Sequence, residues 1–224
     1  MTCAALITAA GYGSRMGADR PKQYLDLGGS PLLARTVKAF DEHPLIDVIV
    51  ITVPPGDETF CRSVVLEPYG FSKIERIVPG GATRQQSVFN GLVTLDRTDI
   101  VAIHDGARPL VSEATITKTI EAARATGAAL ACAPVKDTVK RKEGRHLLTL
   151  SRTELWLAHT PQTFLTRLIL EAHRAAEQEG FSGTDDACLV ERLGLPVAVV
   201  EDSPYNIKIT TPEDLQLARL LVLG

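Results

Sequence analysis

The stretch Cys3-Ala4-Ala5-Leu6-Ile7, running into Ala9-Ala10-Gly11-Tyr12-Gly13-Ser14-Arg15-Met16-Gly17, decides the fold. An opening run with no charge and no turn former has the character of a strand buried on both faces. The glycines behind it let backbone N–H groups converge on an anion. Downstream, Ser30-Pro31 is expected to cap a helix with proline at its first position, carrying Leu33, Val37 and Phe40 at helical spacing. Asp47 to Val53 is almost wholly β-branched and apolar, a second buried strand. Thr83-Arg84-Gln85-Gln86 has the form of a capping box ahead of Val88, Phe89, Leu92 and Leu95. Ile100 to Ile103 and Ala128 to Ala133 read as further central strands, and Ser112 as the cap of a helix bearing Ile116, Ile120 and Ala123. Thr211-Pro212-Glu213-Asp214 opens a last helix. Strand alternating with helix implies an α/β fold, a Rossmann-like, mostly parallel sheet covered by helices on both faces. In such a sheet a ligand sits at the carboxyl ends of the strands.

One segment breaks the alternation. Between 134 and 158 lie Lys136, Lys140, Arg141, Lys142, Arg145 and Arg152 against Asp137, Glu143 and Glu154. A charged turn, Lys140 to Arg145 around Gly144, is flanked by Asp137-Thr138-Val139 and Leu147-Leu148-Thr149-Leu150, so an inserted β-hairpin arm is expected over 134–158. A hairpin this small has too little core to stand alone, which makes a second subunit its natural support. The remainder of residues 1–224 is read as a single domain.

Over 224 residues the chain carries 24 basic and 27 acidic side chains, a net charge of −3, with 45% hydrophobic and 23% charged residues. That excludes a general nucleic-acid binder, whose affinity rests on a basic surface. No run approaches the ~18–20 apolar residues of a membrane span, and the N-terminus lacks the basic start and cleavage site of a signal peptide. Cys3, Cys61, Cys132 and Cys188 form no CxxC pair and read as reduced thiols, so a cytoplasmic location is expected.

The glycine loop fits neither familiar phosphate loop. A Walker A spacing is absent, and in GxGxxG terms the third glycine falls one place late, with Pro21 interrupting the helix that should follow. What remains is a glycine loop with Arg15, Arg20 and Lys22 close behind it. Asp105 ends the strand from Ile100 and so emerges at the same sheet edge. One or two carboxylates completed by phosphate oxygens suit Mg2+. His104 is read as a structural hydrogen-bonder, Asp185-Asp186 as helix-capping, Trp156 as a packing anchor, and His43, His146, His159 and His173 as histidines without a partner pattern.

AAGYGSRMG followed by PKQY resembles the nucleotidyltransferase loop of the sugar-phosphate cytidylyltransferases, and more narrowly of those acting on 2-C-methyl-D-erythritol 4-phosphate. The likeness continues through Gly80 to Ser87, His104 to Pro109, Pro134 to Thr138, Thr160-Pro161-Gln162, Thr184-Asp185-Asp186 and Asn206-Ile207-Lys208. It departs at Thr8, Ala82 and Gly106. The resemblance implies that CTP lies against Ala9, Ala10, Gly11, Tyr12 and Gly13. The cytosine would then be read near Gly80, Gly81 and Ser87, and the triphosphate flanked by Arg15 and Lys22. It implies Asp105 as the holder of Mg2+. A polyol phosphate would meet Asp105, Gly106, Arg108, Thr160, Thr184 and Lys208, with Thr138 and Arg152 supplied by the arm of a homodimer. Arg15, Lys22, Arg152 and Lys208 are the implied catalytic cations, and the implied reaction is transfer of CMP with release of pyrophosphate. Ribitol 5-phosphate as acceptor, a non-catalytic nucleotide-binding module and a nicotinamide dehydrogenase are the competing readings. The last is disfavoured by Pro21 and the late glycine.

Overall fold

The structure, a computed structural model, describes residues 1–11 and 21–223. Tyr12, Gly13 and Arg15 lie outside the described residues. A seven-stranded sheet runs in the order β3-β2-β1-β4-β8-β5-β9. Its strands are β1 (Cys3–Thr8), β2 (Val48–Val53), β3 (Ile74–Pro79), β4 (Ile100–Asp105), β5 (Ala128–Pro134), β8 (Trp156–Leu165) and β9 (Ala198–Glu201). β1 pairs in parallel with both β2 and β4, and β5 with β9, while β8 runs antiparallel between β4 and β5. The sheet is therefore mostly parallel, as expected.

Side chains along β1 divide between two cores, which is why the run carries no polar alternation. Cys3, Ala5 and Ile7 pack with Leu33, Val37 and Phe40 of α1 (Leu32–Asp41) and with Ile116 and Ile120 of α4 (Glu113–Thr126). Ala4 and Leu6 pack on the other face with three helices: Val88 and Leu92 of α3 (Arg84–Leu92), Ile169 and Ala172 of α5 (Thr166–Gln178), and Leu189 and Val190 of α6 (Ala187–Arg192). A one-turn helix, α2 (Glu58–Phe60), follows β2, and a last helix, α7 (Pro212–Leu223), packs Leu215 and Ala218 against Leu27, Leu32 and Ile209. None of the helices is long and apolar enough to cross a membrane among the described residues. Cys3, Cys61 and Cys132 are buried free thiols, and burial pushes Cys3 and Cys61 up to about 12.

The caps follow the sequence with two corrections. Thr83 accepts from the Gln86 amide and Ser112 from the Thr115 amide. Ser30 is not a cap: Pro31 occupies that position, because the Ser30 carbonyl turns back to accept from the Leu27 amide and closes the preceding loop. At α6 it is Asp185 that caps, Oδ1 accepting from the Cys188 amide, whereas Asp186 turns inward to charged partners.

The arm is a separate two-stranded hairpin, β6 (Lys140–Glu143) and β7 (His146–Thr149), exposed throughout. Its turn is tighter than expected, and the charged run expected to form the turn is the first strand. Gly144, at φ 61°, supplies the positive φ that a two-residue turn needs. Trp156, Leu157 and Ala158, expected within the arm, belong to β8 and pair with Pro134, Ala133 and Cys132 of β5.

Candidate active site

Chain order reverses at β1: β2 and β3 extend the sheet one way and β4 the other. Thr8 and Asp105, the last residues of β1 and β4, stand opposite one another in register. Beyond these carboxyl ends a cavity of about 420 Å³ opens, at the switch point where α/β sheets take their ligands. Its described lining includes Ala9, Ala10, Gly11, Lys22, Gly81, Ser87, Asp105, Gly106 and Lys208, all expected from the sequence.

Asp105 is the electrostatic centre of this cavity. Its Oδ2 lies 2.8 Å from Lys208 Nζ and 3.6 Å from Arg108 Nε, and its Oδ1 lies 3.0 Å from Arg84 Nε. Burial acts to raise the Asp105 pKa, but Arg84 and Lys208, then Arg108, outweigh it and hold the carboxyl well below the usual range. Behind it runs a directed chain of hydrogen bonds. The Asp105 amide donates to Thr160 Oγ1, 3.0 Å away. The Thr160 hydroxyl also lies 3.0 Å from His104 Nδ1, and His104 Nε2 lies 3.0 Å from the Arg108 carbonyl. A carbonyl only accepts, so Nε2 carries the proton and Nδ1 accepts from Thr160. Burial pushes His104 down to about 4, in keeping with a structural role rather than that of a base.

On the nucleotide-loop side, Lys22 Nζ donates to the Ile209 carbonyl at 2.8 Å, which ties this lysine to the segment carrying Lys208. Ser87 Oγ accepts from the Gly81 amide and donates to the Thr83 carbonyl, fixing the Gly80-Gly81 bend. A Cβ at Gly80 would fall 2.2 Å from Ala10 Cβ and 2.9 Å from Ser87 Oγ, so the two loops approach more closely than any side chain allows.

Several expected residues stand elsewhere. Arg108 is buried under Asp105, its Nη1 donating to the Asn206 carbonyl, and Thr160 is buried in the chain just described. Each supports the cavity from beneath rather than lining it. Thr184 is exposed in the loop before α6, outside the lining. Thr138 and Arg152 belong to the arm, where Arg152 Nη1 donates to the Lys136 carbonyl. The histidines also differ from expectation: His159 Nδ1 lies 2.9 Å from Asp202, and buried His173 lies 3.5 Å from Asp186. Arg84, read only as a position in a capping box, is a charged member of the site. The signal available was an arginine at the start of a helix whose glycine-rich approach faces the strand ends.

Residues 3–223 match the sequence profile described as IspD, 2-C-methyl-D-erythritol 4-phosphate cytidylyltransferase. The chain belongs to that family. It is 50% identical over 227 residues to the family member of Geobacter metallireducens, covering 99% of this chain and 98% of that one. To the member of Pelotomaculum thermopropionicum it is 49% identical, covering 98% and 93%. Among solved family structures, the Thermus thermophilus enzyme superposes with a TM-score of 0.83 at 37% identity over the full length of both chains. The Anaerococcus prevotii 4-diphosphocytidyl-2C-methyl-D-erythritol synthase gives 0.89 at 35%, covering 100% and 96%.

Proposed function

We infer that this chain transfers CMP from CTP to 2-C-methyl-D-erythritol 4-phosphate, forming 4-diphosphocytidyl-2-C-methyl-D-erythritol and pyrophosphate in isoprenoid biosynthesis. The observation that carries the reading, together with the family, is the set of cations lining one cavity: Lys22, and Arg84 and Lys208 paired with Asp105. A phosphate oxygen of the acceptor attacks the α-phosphorus of CTP, and the bond to the bridging oxygen of pyrophosphate breaks. The second pKa of a phosphomonoester is ~6, so the nucleophile is ionised at neutral pH and needs no general base. What the reaction needs is positive charge aimed at phosphoryl oxygens. Lys22 serves the triphosphate side, a role the family resemblance also gives to Arg15. Lys208 stands over Asp105, where it draws the acceptor phosphate toward the α-phosphorus. Gly80, Gly81 and Ser87 form the edge against which the base is read.

Among the described residues lining the cavity Asp105 is the one acid, and no group of three metal-ligating side chains occurs among the described residues. A single carboxylate fits Mg2+, which takes most of its oxygens from phosphates and water. Asp105 would hold the ion, which when bound neutralises charge on the triphosphate and the departing pyrophosphate.

The arm exposes Leu147 at 68%, and the adjoining end of β8 exposes Leu157 at 55% and Trp156 at 42%. Such apolar surface supports a homodimer formed through the arm, whose Thr138 and Arg152 reach the partner's cavity. Free, largely buried cysteines suit a cytoplasmic location. The test is pyrophosphate release with CTP, Mg2+ and 2-C-methyl-D-erythritol 4-phosphate, with ATP, GTP and UTP and with ribitol 5-phosphate as controls. Release confined to CTP and the erythritol phosphate is the expected result. Release with ribitol 5-phosphate alone overturns the acceptor assignment.

A further inference from the structure

One guanidinium joins two carboxylates that the fold brings from separate elements. Arg84, the first residue of α3, places Nε 3.0 Å from Asp105 Oδ1 in the cavity and Nη1 2.8 Å from Asp186 Oδ2 beneath the loop before α6. Asp186 is 1% exposed. The next residue of α3 holds the same loop: Gln85 Oε1 accepts from the Gly183 amide at 2.9 Å, and Gln85 Nε2 donates to the Phe181 carbonyl at 3.2 Å. From below, Gln162 Oε1 accepts from the Asp186 and Ala187 amides. The loop has no slack, since a Cβ at Gly183 would fall 2.5 Å from Cys188 Sγ and 2.8 Å from Leu189 Cδ2. Thr184 is the exposed residue inside this clamp.

A buried ion pair fixes the position of both partners, because leaving either charge unpaired is costly. We propose that Asp186 is a positioning residue for the phosphorylated acceptor. Through Arg84 it registers the Thr184 loop against Asp105, so that the acceptor's surface is set relative to the nucleotide's. The proposal rests on the functional reading above and on the family resemblance, which implies that Thr184, outside the cavity lining of this chain, meets the acceptor. The nucleotide side does not depend on this link: Gly80, Gly81, Ser87 and Lys22 have their own tethers, and Arg84 keeps Asp105 when Asp186 is neutralised.

The experiment is steady-state kinetics with each substrate varied, beside calorimetric CTP binding, for wild type and Asp186→Asn. Loss of one charge-assisted contact is expected to raise the acceptor KM roughly tenfold while the CTP Kd stays within about twofold. A merely structural role lowers kcat with the active fraction and leaves both constants where they were, and that pattern overturns the proposal. So does an equal rise in the CTP Kd. Gln85→Ala removes the neutral half of the clamp without stranding a charge, and it should raise the acceptor KM about fivefold even where Asp186→Asn fails to fold. An unchanged acceptor KM in Gln85→Ala, with Asp186→Asn unfolded, equally overturns it. Faster hydrogen exchange at the Gly183 amide is the accompanying positional readout in Gln85→Ala. Wild-type protein with no turnover on CTP and the acceptor would instead overturn the functional reading.

Discussion

Lys208 Nζ stands 2.8 Å from Asp105 Oδ2, joining the segment after β9 to the end of β4 across the mouth of the cavity. The Lys208 side chain is 39% exposed, so it anchors little of the fold and is open to a phosphate. Lys208→Ala is therefore expected to cut pyrophosphate release by roughly hundreds-fold, the scale of losing one preorganised donor. Its urea midpoint should stay close to wild type. A variant that turns over at the wild-type rate removes Lys208 from the chemistry.

His104 sets a pH dependence of stability. Its folded pKa of about 4 lies below the ordinary 6.5 because the ring is buried. Between those values the unfolded chain binds a proton that the native chain refuses. The contribution is thus complete above pH ~6.5 and is lost as pH falls toward 4, by about 3 kcal/mol. Asp105 and Asp186, both held below the usual carboxylate range, keep their contributions through that window and lose them only in stronger acid. Urea denaturation from pH 7.5 to 4.5 should show the decline, and His104→Gln should flatten it. A wild-type profile already flat over that range contradicts the assignment of a buried neutral imidazole.

The parts of this molecule legible in the sequence are those with local causes. β1 announces itself because burial on both faces removes every polar residue from Cys3 to Ile7. The caps at Thr83 and Ser112 announce themselves because a hydroxyl three residues before an amide is a local geometry. Lys22 is legible from the basic run behind the glycine loop, Asp105 from its place at a strand end, and Lys208 through the resemblance; the fold brings all three to one cavity. What stayed hidden depends on distant partners. β8 begins in a stretch that reads as the end of the arm, and only its pairing with β4 and β5 makes it a central strand. Arg84, Asp186 and His173 carry no joint spacing because their contact is made by the packing of α3, α5 and α6. The inward burial of Arg108 and Thr160 is invisible for the same reason.

Gly80→Ala tests the close approach of the two loops. With 2.2 Å to Ala10 Cβ, the added methyl cannot be absorbed by a rotamer and must push the backbone of one loop. The expected outcome is a loss of about 1–3 kcal/mol in stability and weaker CTP binding measured by calorimetry. Gly11→Ala makes the contrast. A Cβ there meets nothing within 4 Å among the described residues, so stability should be unchanged.

Arg152 opens the short 3-10 turn that follows β7. Its guanidinium donates to the Lys136 carbonyl within the arm, and no described element of its own chain brings it to the cavity. If a partner's arm completes each site, Arg152→Ala and Lys208→Ala damage different halves of a shared centre. Each homodimer should be nearly inactive. In a mixed dimer, one site combines both defects and the other combines an intact cavity with an intact arm. Random exchange between equal amounts of the two variants should then restore roughly a quarter of wild-type turnover, from the one sound site in each mixed dimer. Sedimentation of the separate variants checks that both remain dimeric. No recovery after exchange, with mixed dimers demonstrated by a tag on one variant, would place Arg152 outside the shared site.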